Sequence, residues 1–424
     1  MVARALAQST ESRPPAIAPP EPDLVPETLI ARASALRPKL IAQQDTNDAA
    51  GAYSADLHEE FVRAGFYRTL QPRYFGGYEF DYETFTRIQI EIGHGHPGVA
   101  WCLGLASSHA VTIAAHWHEA AQREIFGPTG HFIAPHRAVP SGSGIKVAGG
   151  YEVDGIWRYA SGVPFSTHFI GNTLVPTTNG NLQSVNFVVP RSSYEVLDDW
   201  GGDRVLGLRA SGSNSVKLSH VFVPEHHVTP YEAEYTRVDF SQGTPGTRLH
   251  GNPMYLGQAL APYSLSITAP IVGAARAALD EYEALMRTQQ TICPPHVPRL
   301  THHDFQRNFG YALTLTDAAE ALLYSMCRQH KDLCSRWASH GTPFSLDENV
   351  RLMAMCQTAG RLACEAVDLL FRTSGSANAR KGAKLARYVS DVSVFQTHVA
   401  QQSQEFAAVV GRVNLGLPPQ FLDF

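Results

Sequence analysis

Gly149–Phe169, GGYEVDGIWRYASGVPFSTHF, decides how the rest of the chain is read. Gly149-Gly150 is a turn signal, and the YEVDGIW that follows alternates as a half-buried strand does. The strand runs into Tyr159-Ala160-Ser161-Gly162, where an aromatic ring and a hydroxyl two residues apart fall on one strand face. A ring beside a hydroxyl donor suits a flat redox cofactor: the ring packs on the π-system and the hydroxyl reaches a ring nitrogen. The same residues also suit an ordinary hairpin with a surface serine. The flanking segments separate the two.

Upstream, from about residue 23 to 127, the apolar spacing is helical: LHEEFVRAGF, ETFTRIQIEIGH, then AWCLGLASSHAVTIAAHW. LQPRYFGGYEFD interrupts the first two with glycines and a proline, and His96-Pro97-Gly98 sets the start of the third. His109 lies four residues from both Leu105 and Ile113, so the spacing predicts it on their apolar stripe. His94, His96, His116 and His118 do not make a metal set, because H-x-H on a helix points its rings to different sides. No metal is expected.

From His131 to about Val228 the period switches to two. FIGNTLV and VNFVVP flank a Thr177–Asn181 turn, followed by SYEVLDDW and SVKLSHVFVPE. GLRASGSNSV, rich in small residues and hydroxyls around Arg209, reads either as a tight loop or as donors near a cofactor or subunit contact. After Pro253 the helical period returns in four long amphipathic segments, which predict a bundle. The Thr373–Ala377 loop between the last two fits either a phosphate contact or a plain helix C-cap.

The expected organisation is thus α+β: a disordered leader over 1–22, an N-terminal α-helical domain over 23–130, an antiparallel β-domain over 131–235, and a C-terminal four-helix bundle over 236–424. A chain of 424 residues has room for these. The net charge of −5 without a long basic run argues against nucleic acid as a partner. The leader lacks the apolar core of a secretion signal, and no run of about eighteen apolar residues predicts a membrane span. Six cysteines without a C-x-x-C pair read as reduced core thiols of a cytoplasmic protein.

The order helices, β-domain, bundle resembles the acyl-CoA dehydrogenase fold superfamily over about residues 25 to 415. HPGVAWCLGLASSH is similar to the helix before that family's β-domain, and FIAP to its flavin-facing loop, which points to Ala134 and Pro135. IWRYASG stands where the family sets an aromatic and a hydroxyl on the flavin, and GLRASGSNSVKLSHVFVPE matches its L-R-x-[ST]-G-S…V-x-VP segment, which adds Arg209, Ser211 and Gly212. The dehydrogenases need a glutamate base, usually eight residues after an aspartate in the last helical region. Here that position after Asp391 is Val399, which takes no proton, and the chain has no glutamate between Glu234 and Glu281.

A branch that fits better is the flavin-dependent monooxygenases of this fold, the oxygenase components of two-component aromatic hydroxylases such as the p-hydroxyphenylacetate hydroxylases. Of their patterns, the A-W with a histidine eight residues after the tryptophan is Ala100-Trp101 with His109, Ala160-Ser161-Gly162 replaces SSG, and the histidine seven residues after an aspartate is His398 after Asp391. A serine of the relative just before I-A-P is His131 here, which leaves the substrate's identity open. The resemblance implies reduced flavin (FMNH2 or FADH2) from a separate NAD(P)H-flavin reductase, reacting with O2 to a C(4a)-hydroperoxide that hydroxylates a small phenolic or indolic substrate. It implies Ser161 on flavin N5, Tyr159 beside the ring, and His109 and His398 at the substrate. It also implies a homotetramer in which Ser374, Gly375 and Ser376 reach a neighbouring subunit's flavin. No GxGxxG follows a strand, so a nicotinamide site on this chain is not expected. The alternative is an acyl-CoA dehydrogenase or related flavin oxidase.

Overall fold

A computed structural model describes residues 16–230, 243–256 and 260–418. Most of the expected leader lies outside the described residues. Its last part is packed: Ile17 N–H donates to Tyr74 O at 3.0 Å, and Glu21 pairs with Arg32 at 2.8 Å.

The N-terminal region holds α1 (Pro26–Ala35), α2 (Arg37–Ala42), α3 (Gln44–Ala50), α4 (Ala55–Ala64), α5 (Tyr82–Gly95), α6 (Pro97–Ser107), α7 (Ala110–His116) and α8 (Glu119–Phe126). Local chemistry sets several ends. Ser54 and Asp81 cap α4 and α5 by accepting from Leu57 N and Thr84 N, and Pro97 opens α6 at a position where its missing N–H goes unneeded. The third predicted helix is two. It breaks at Ser108-His109, where His109 turns its Nδ1 onto the carbonyl of Ala134 at 2.9 Å instead of lying on the stripe of Leu105 and Ile113. Pro97–His116 is long and apolar enough to cross a membrane, with a hydropathy of 1.4, but 94% of its apolar window is buried inside the protein. It is a core segment.

The β-region forms two four-stranded sheets. One has the order β1 (His136–Arg137), β4 (His168–Pro176), β5 (Leu182–Pro190), β8 (Val228–Pro230). The other has the order β2 (Ser143–Val147), β3 (Gly150–Trp157), β7 (Val216–Pro224), β6 (Glu195–Val196). All pairings are antiparallel except β1 with β4. Between the sheets, Trp157, Phe169 and Phe187 are fully buried against Val216 and Leu218. The strand that opened the reading ends at Trp157, so Tyr159–Gly162 is a turn and not a continuing strand face.

After α9 (Pro245–His250) come α10 (Leu260–Thr288), α11 (His303–His340), α12 (Leu346–Ser374), α13 (Lys384–Gln396) and α14 (Ser403–Asn414). The fourth predicted bundle segment is therefore interrupted over residues 397–402. One core joins the bundle to the N-terminal helices. Helix α10 crosses α5 at a glycine pair: a Cβ on Gly273 would stand 2.7 Å from the Cα of Gly93, so only glycine admits this approach. The architecture is the expected one, helices and bundle around a central antiparallel-rich β-region, as in the acyl-CoA dehydrogenases.

Candidate active site

A cleft of about 360 Å³ opens where α6 and the end of α13 meet the β-region. Trp101 of α6 enters from one side. Tyr159 and Ser161 follow β3, and Trp200, Leu208, Ser211 and Ser213 belong to the loop between β6 and β7. Val394, Thr397, His398 and Val399 close it from the end of α13, and Arg137 of β1 completes the wall.

The turn that presents Ser161 is fixed by backbone bonds. Gly162 sits at φ 91° and donates to the carbonyls of Ser211 and Gly212, each at 3.1 Å; a Cβ there would strike the carbonyl of Cys102 at 2.8 Å. Ser161 accepts from the Trp101 indole N–H at 3.1 Å and bonds Ser213 at 2.6 Å, which bonds Ser211 at 2.6 Å. Three hydroxyls joined by two bonds leave one proton to spare. All three line the cleft, but Ser211 and Ser213 are buried while Ser161 is partly exposed, so Ser161 is the most accessible place for the spare donor. Tyr159 stands on the rim, 62% exposed, with its ring edge-on to Trp200 at 5.9 Å.

His398 reaches the cleft because α13 stops before it. Its backbone is extended, and its Nδ1 accepts from the N–H of Ala400 at 3.1 Å. Burial lowers its pKa to about 4, with the Arg137 charge adding to the effect. The ring is thus neutral near pH 7, and with Nδ1 accepting, the proton sits on Nε2. The Trp101 ring lies 5.7 Å from it, edge-on, linking His398 to Ser161.

His109 is not on the cleft surface. It is 3% exposed, held near pKa 4 by burial, and packed 5.4 Å from the His136 ring and 5.7 Å from Tyr263. Tyr263 in turn bonds Thr112 at 3.0 Å and His136 at 3.2 Å. This buried polar cluster includes His136, the residue before Arg137 on β1. Ala134 and Pro135 are also one layer back: the carbonyl of Ala134 takes His109, its N–H takes Ala106 O, and the carbonyl of Pro135 takes Ile170 N. Their backbone groups are engaged within the chain.

Arg209 turns away from the cleft. It lines a separate charged cavity of about 300 Å³ with Asp203, Lys381, Arg387 and Asp391. Gly212, at φ 57°, donates to Gly51 O at 2.8 Å and shapes the loop without lining the cleft. Ser374, Gly375 and Ser376 end α12 elsewhere in this chain, where Arg299 donates to Ser374 O at 2.8 Å. Arg137, Trp200 and Ser213 are site residues that the sequence reading missed. Only Ser213, inside the hydroxyl-rich GLRASGSNSV, carried a local signal.

Aromatic walls with one spare hydroxyl donor between them fit a flat heteroaromatic ring that accepts hydrogen bonds, as a flavin does. Among the described residues lining the cleft there is no carboxylate, and Arg137 is the charged group there.

Residues 265–403 match the family model described as acyl-CoA dehydrogenase, C-terminal domain. The chain is 26% identical over 387 residues to the flavin-dependent monooxygenase, oxygenase subunit HsaA, of Rhodococcus jostii, covering 91% of this chain and 98% of the relative. It is 24% identical over 369 residues to the oxygenase component of p-hydroxyphenylacetate 3-hydroxylase of Acinetobacter baumannii, covering 84% and 81%. The crystal structure of 3-HSA hydroxylase from Rhodococcus sp. RHA1 superposes with a TM-score of 0.83 at 25% identity, over 93% of this chain and 98% of that one. Over most of its length the chain is thus similar to the flavin-dependent monooxygenases built on the acyl-CoA dehydrogenase fold, and it is the oxygenase component of a two-component system that works with reduced flavin.

Proposed function

We propose that the cleft binds reduced flavin together with a small phenolic or indolic substrate and directs hydroxylation of that substrate. The observation that carries this reading is the pair of donors, the Ser161 hydroxyl and the Nε2–H of a neutral His398, facing one cleft across Trp101. Reduced flavin supplies the electrons with which dioxygen places one oxygen atom on the ring and leaves the other in water. Ser161 donates to the N5 side of the flavin, and Tyr159 and Trp200 flank it. His398 donates to the phenolic oxygen or to an equivalent acceptor. With Arg137 nearby, that donation favours negative charge on a phenol oxygen, which makes its ring a better nucleophile.

His109 acts as a positioning residue. It ties α6 and α7 to the 133–137 strap and, through His136, sets where Arg137 stands. Val399 and His398 occupy the stretch where an acyl-CoA dehydrogenase needs a carboxylate base, which favours oxygenation over α-proton removal. The flavin, FMN or FAD, arrives reduced from a separate NAD(P)H-dependent reductase, and the enzyme is a homotetramer whose Ser374–Ser376 loop reaches a neighbouring subunit's flavin.

The test supplies reductase-generated flavin and oxygen to a panel of phenols and indoles and measures hydroxylated product against hydrogen peroxide. Product from a phenol or indole with FMN or FAD supports the reading. Turnover of an acyl-CoA without any reductase overturns it.

A further inference from the structure

Outside the cleft, Glu124, His226 and His227 bring three metal-binding atoms within 4.8 Å of one another. None of the three lines the cleft. Glu124 projects from the last turn of α8. His226 and His227 occupy the short 3-10 turn Glu225–His227 that joins β7 to β8. In a strand, consecutive side chains point to opposite faces. The tight turn instead curls both rings to one side, with centroids 4.6 Å apart.

Both Nε2 atoms close on a single carboxylate oxygen, Glu124 Oε2, at 2.9 Å from His226 and 3.0 Å from His227. His227 is also hydrogen-bonded to the backbone of Val188 on β5. With Nε2 facing Glu124, that bond anchors the other side of the ring, the arrangement that metal-bound imidazoles usually have. The three donors span 103 residues of sequence and two structural regions, the N-terminal helices and the β-region.

We infer that Glu124, His226 and His227 form a binding site for a borderline divalent cation of the zinc class, which clips α8 to the β7–β8 corner. Two imidazoles and one carboxylate are a donor set that zinc takes readily, with the fourth position left to water. A tetrahedral ion with bonds of ~2.0–2.1 Å holds its donor atoms ~3.3 Å apart. The 2.9 and 3.0 Å contacts to Glu124 Oε2 therefore open by a few tenths of an ångström, while the two Nε2 atoms, which lie within 4.8 Å of each other, adjust to the same spacing. Binding replaces the two Nε2 protons by the ion, so the bond network changes from N–H···O contacts to ligation. Glu124 and His226 are solvent-facing and His227 is half-buried, which leaves an entry path.

The experiment uses the full-length protein stripped with a chelator and dialysed at pH 7.5. Zn2+ is titrated by calorimetry, and Co2+ serves as a visible-absorption probe of four-coordinate geometry. The expected result is one saturable equivalent per chain, intense visible Co2+ bands of the kind tetrahedral sites give, and a higher melting temperature with Zn2+ than with chelator. The double variant His226→Ala/His227→Ala should bind at least about 100-fold more weakly, since losing even a supporting partner of a ligand costs about 10–100-fold. Glu124→Gln, which keeps the side-chain shape, should lose the tetrahedral Co2+ bands while its circular dichroism stays native. Zinc bound equally well by the double variant, or no saturable binding to the parent, overturns the inference. In the second case the trio is a hydrogen-bonded clip only.

Discussion

Acidification is the perturbation against which this chain is built most unevenly. Burial holds His96, His109, His116, His168, His330 and His398 near pKa 4, against 6.5 when exposed. The folded state refuses protons that the unfolded chain accepts, so the stability these rings contribute is present above pH 6.5 and is lost as pH falls towards 4. At pH 5 each ring removes about 2 kcal/mol relative to neutral pH, and six remove about 12 kcal/mol. Asp391 works in the opposite sense. Desolvation, then the Asp48 charge, raises it to about 7, so it returns about 2 kcal/mol over the same interval. The net loss is comparable to the whole stability of a typical domain, about 5–15 kcal/mol. The clean single-site test is His330→Phe, because His330 lies outside the cleft between the rings of Tyr82 and Phe344, and phenylalanine keeps a flat ring there. Urea unfolding followed by tryptophan fluorescence at pH 7.5 and 5.0 gives the drop for each protein. The variant's drop should be smaller than the parent's by about 2 kcal/mol. Equal drops would refute the reasoning.

Ser161→Ala should lower the ratio of hydroxylated product to peroxide about 10-fold, the effect of losing one positioned hydrogen bond of ~1–1.5 kcal/mol, as read by product chromatography and a peroxide assay. His398→Ala should slow hydroxylation while oxygen is still reduced to peroxide, and the parent's rate should show no limb near pH 6.5, because its ring stays neutral down to about 4; a limb at 6.5 would contradict the neutral donor. Asp391→Asn should make the protein more stable above pH 7, where the buried carboxyl must otherwise ionise, while its side-chain oxygen still accepts from Leu208 N–H; denaturation at pH 8 that shows a weaker variant would count against this. Light scattering at micromolar concentration should give four chains, and a monomer would remove the role proposed for Ser374–Ser376.

How far the site was legible in the sequence follows from the range of the forces involved. The order of elements rests on local periodicity, and periodicity survives in the sequence, so helices, β-region and bundle were readable from it. Ser161 and His398 were readable because each sits at a fixed spacing inside a recognisable motif. Arg137 and Trp200 were not. Each is brought to the cleft only when the first sheet packs on the second and the bundle closes over both, and nothing in HRAVP or LDDWG distinguishes a cleft wall from a surface loop. His109 shows the opposite error: its helical spacing put it on an apolar stripe, yet the carbonyl of Ala134, 25 residues away, offers its ring a bond that the helix cannot.

The cleft walls are made where local rules are broken, which is why local rules describe them worst. Tyr159 at φ 62° and Leu208 at φ 49° are non-glycine residues in the left-handed region, a conformation that L side chains rarely adopt. Each persists because distant groups hold it. The Tyr159 turn is pinned from both sides, since Ala160 donates to Asn214 O at 3.2 Å and Gly162 donates to the carbonyls of Ser211 and Gly212. Leu208 is held by Asp391, whose Oδ1 accepts its N–H at 2.6 Å across 183 residues of sequence. Asp391 stands seven residues before His398, on the helix that ends at the cleft. One buried carboxyl therefore fixes the strained loop carrying Ser211 and Ser213 against the helix whose termination delivers His398. The spacing Asp391–His398 reads in the sequence as a motif of two residues. In the structure it is a brace that sets the distance between the two donors on which the proposed chemistry depends.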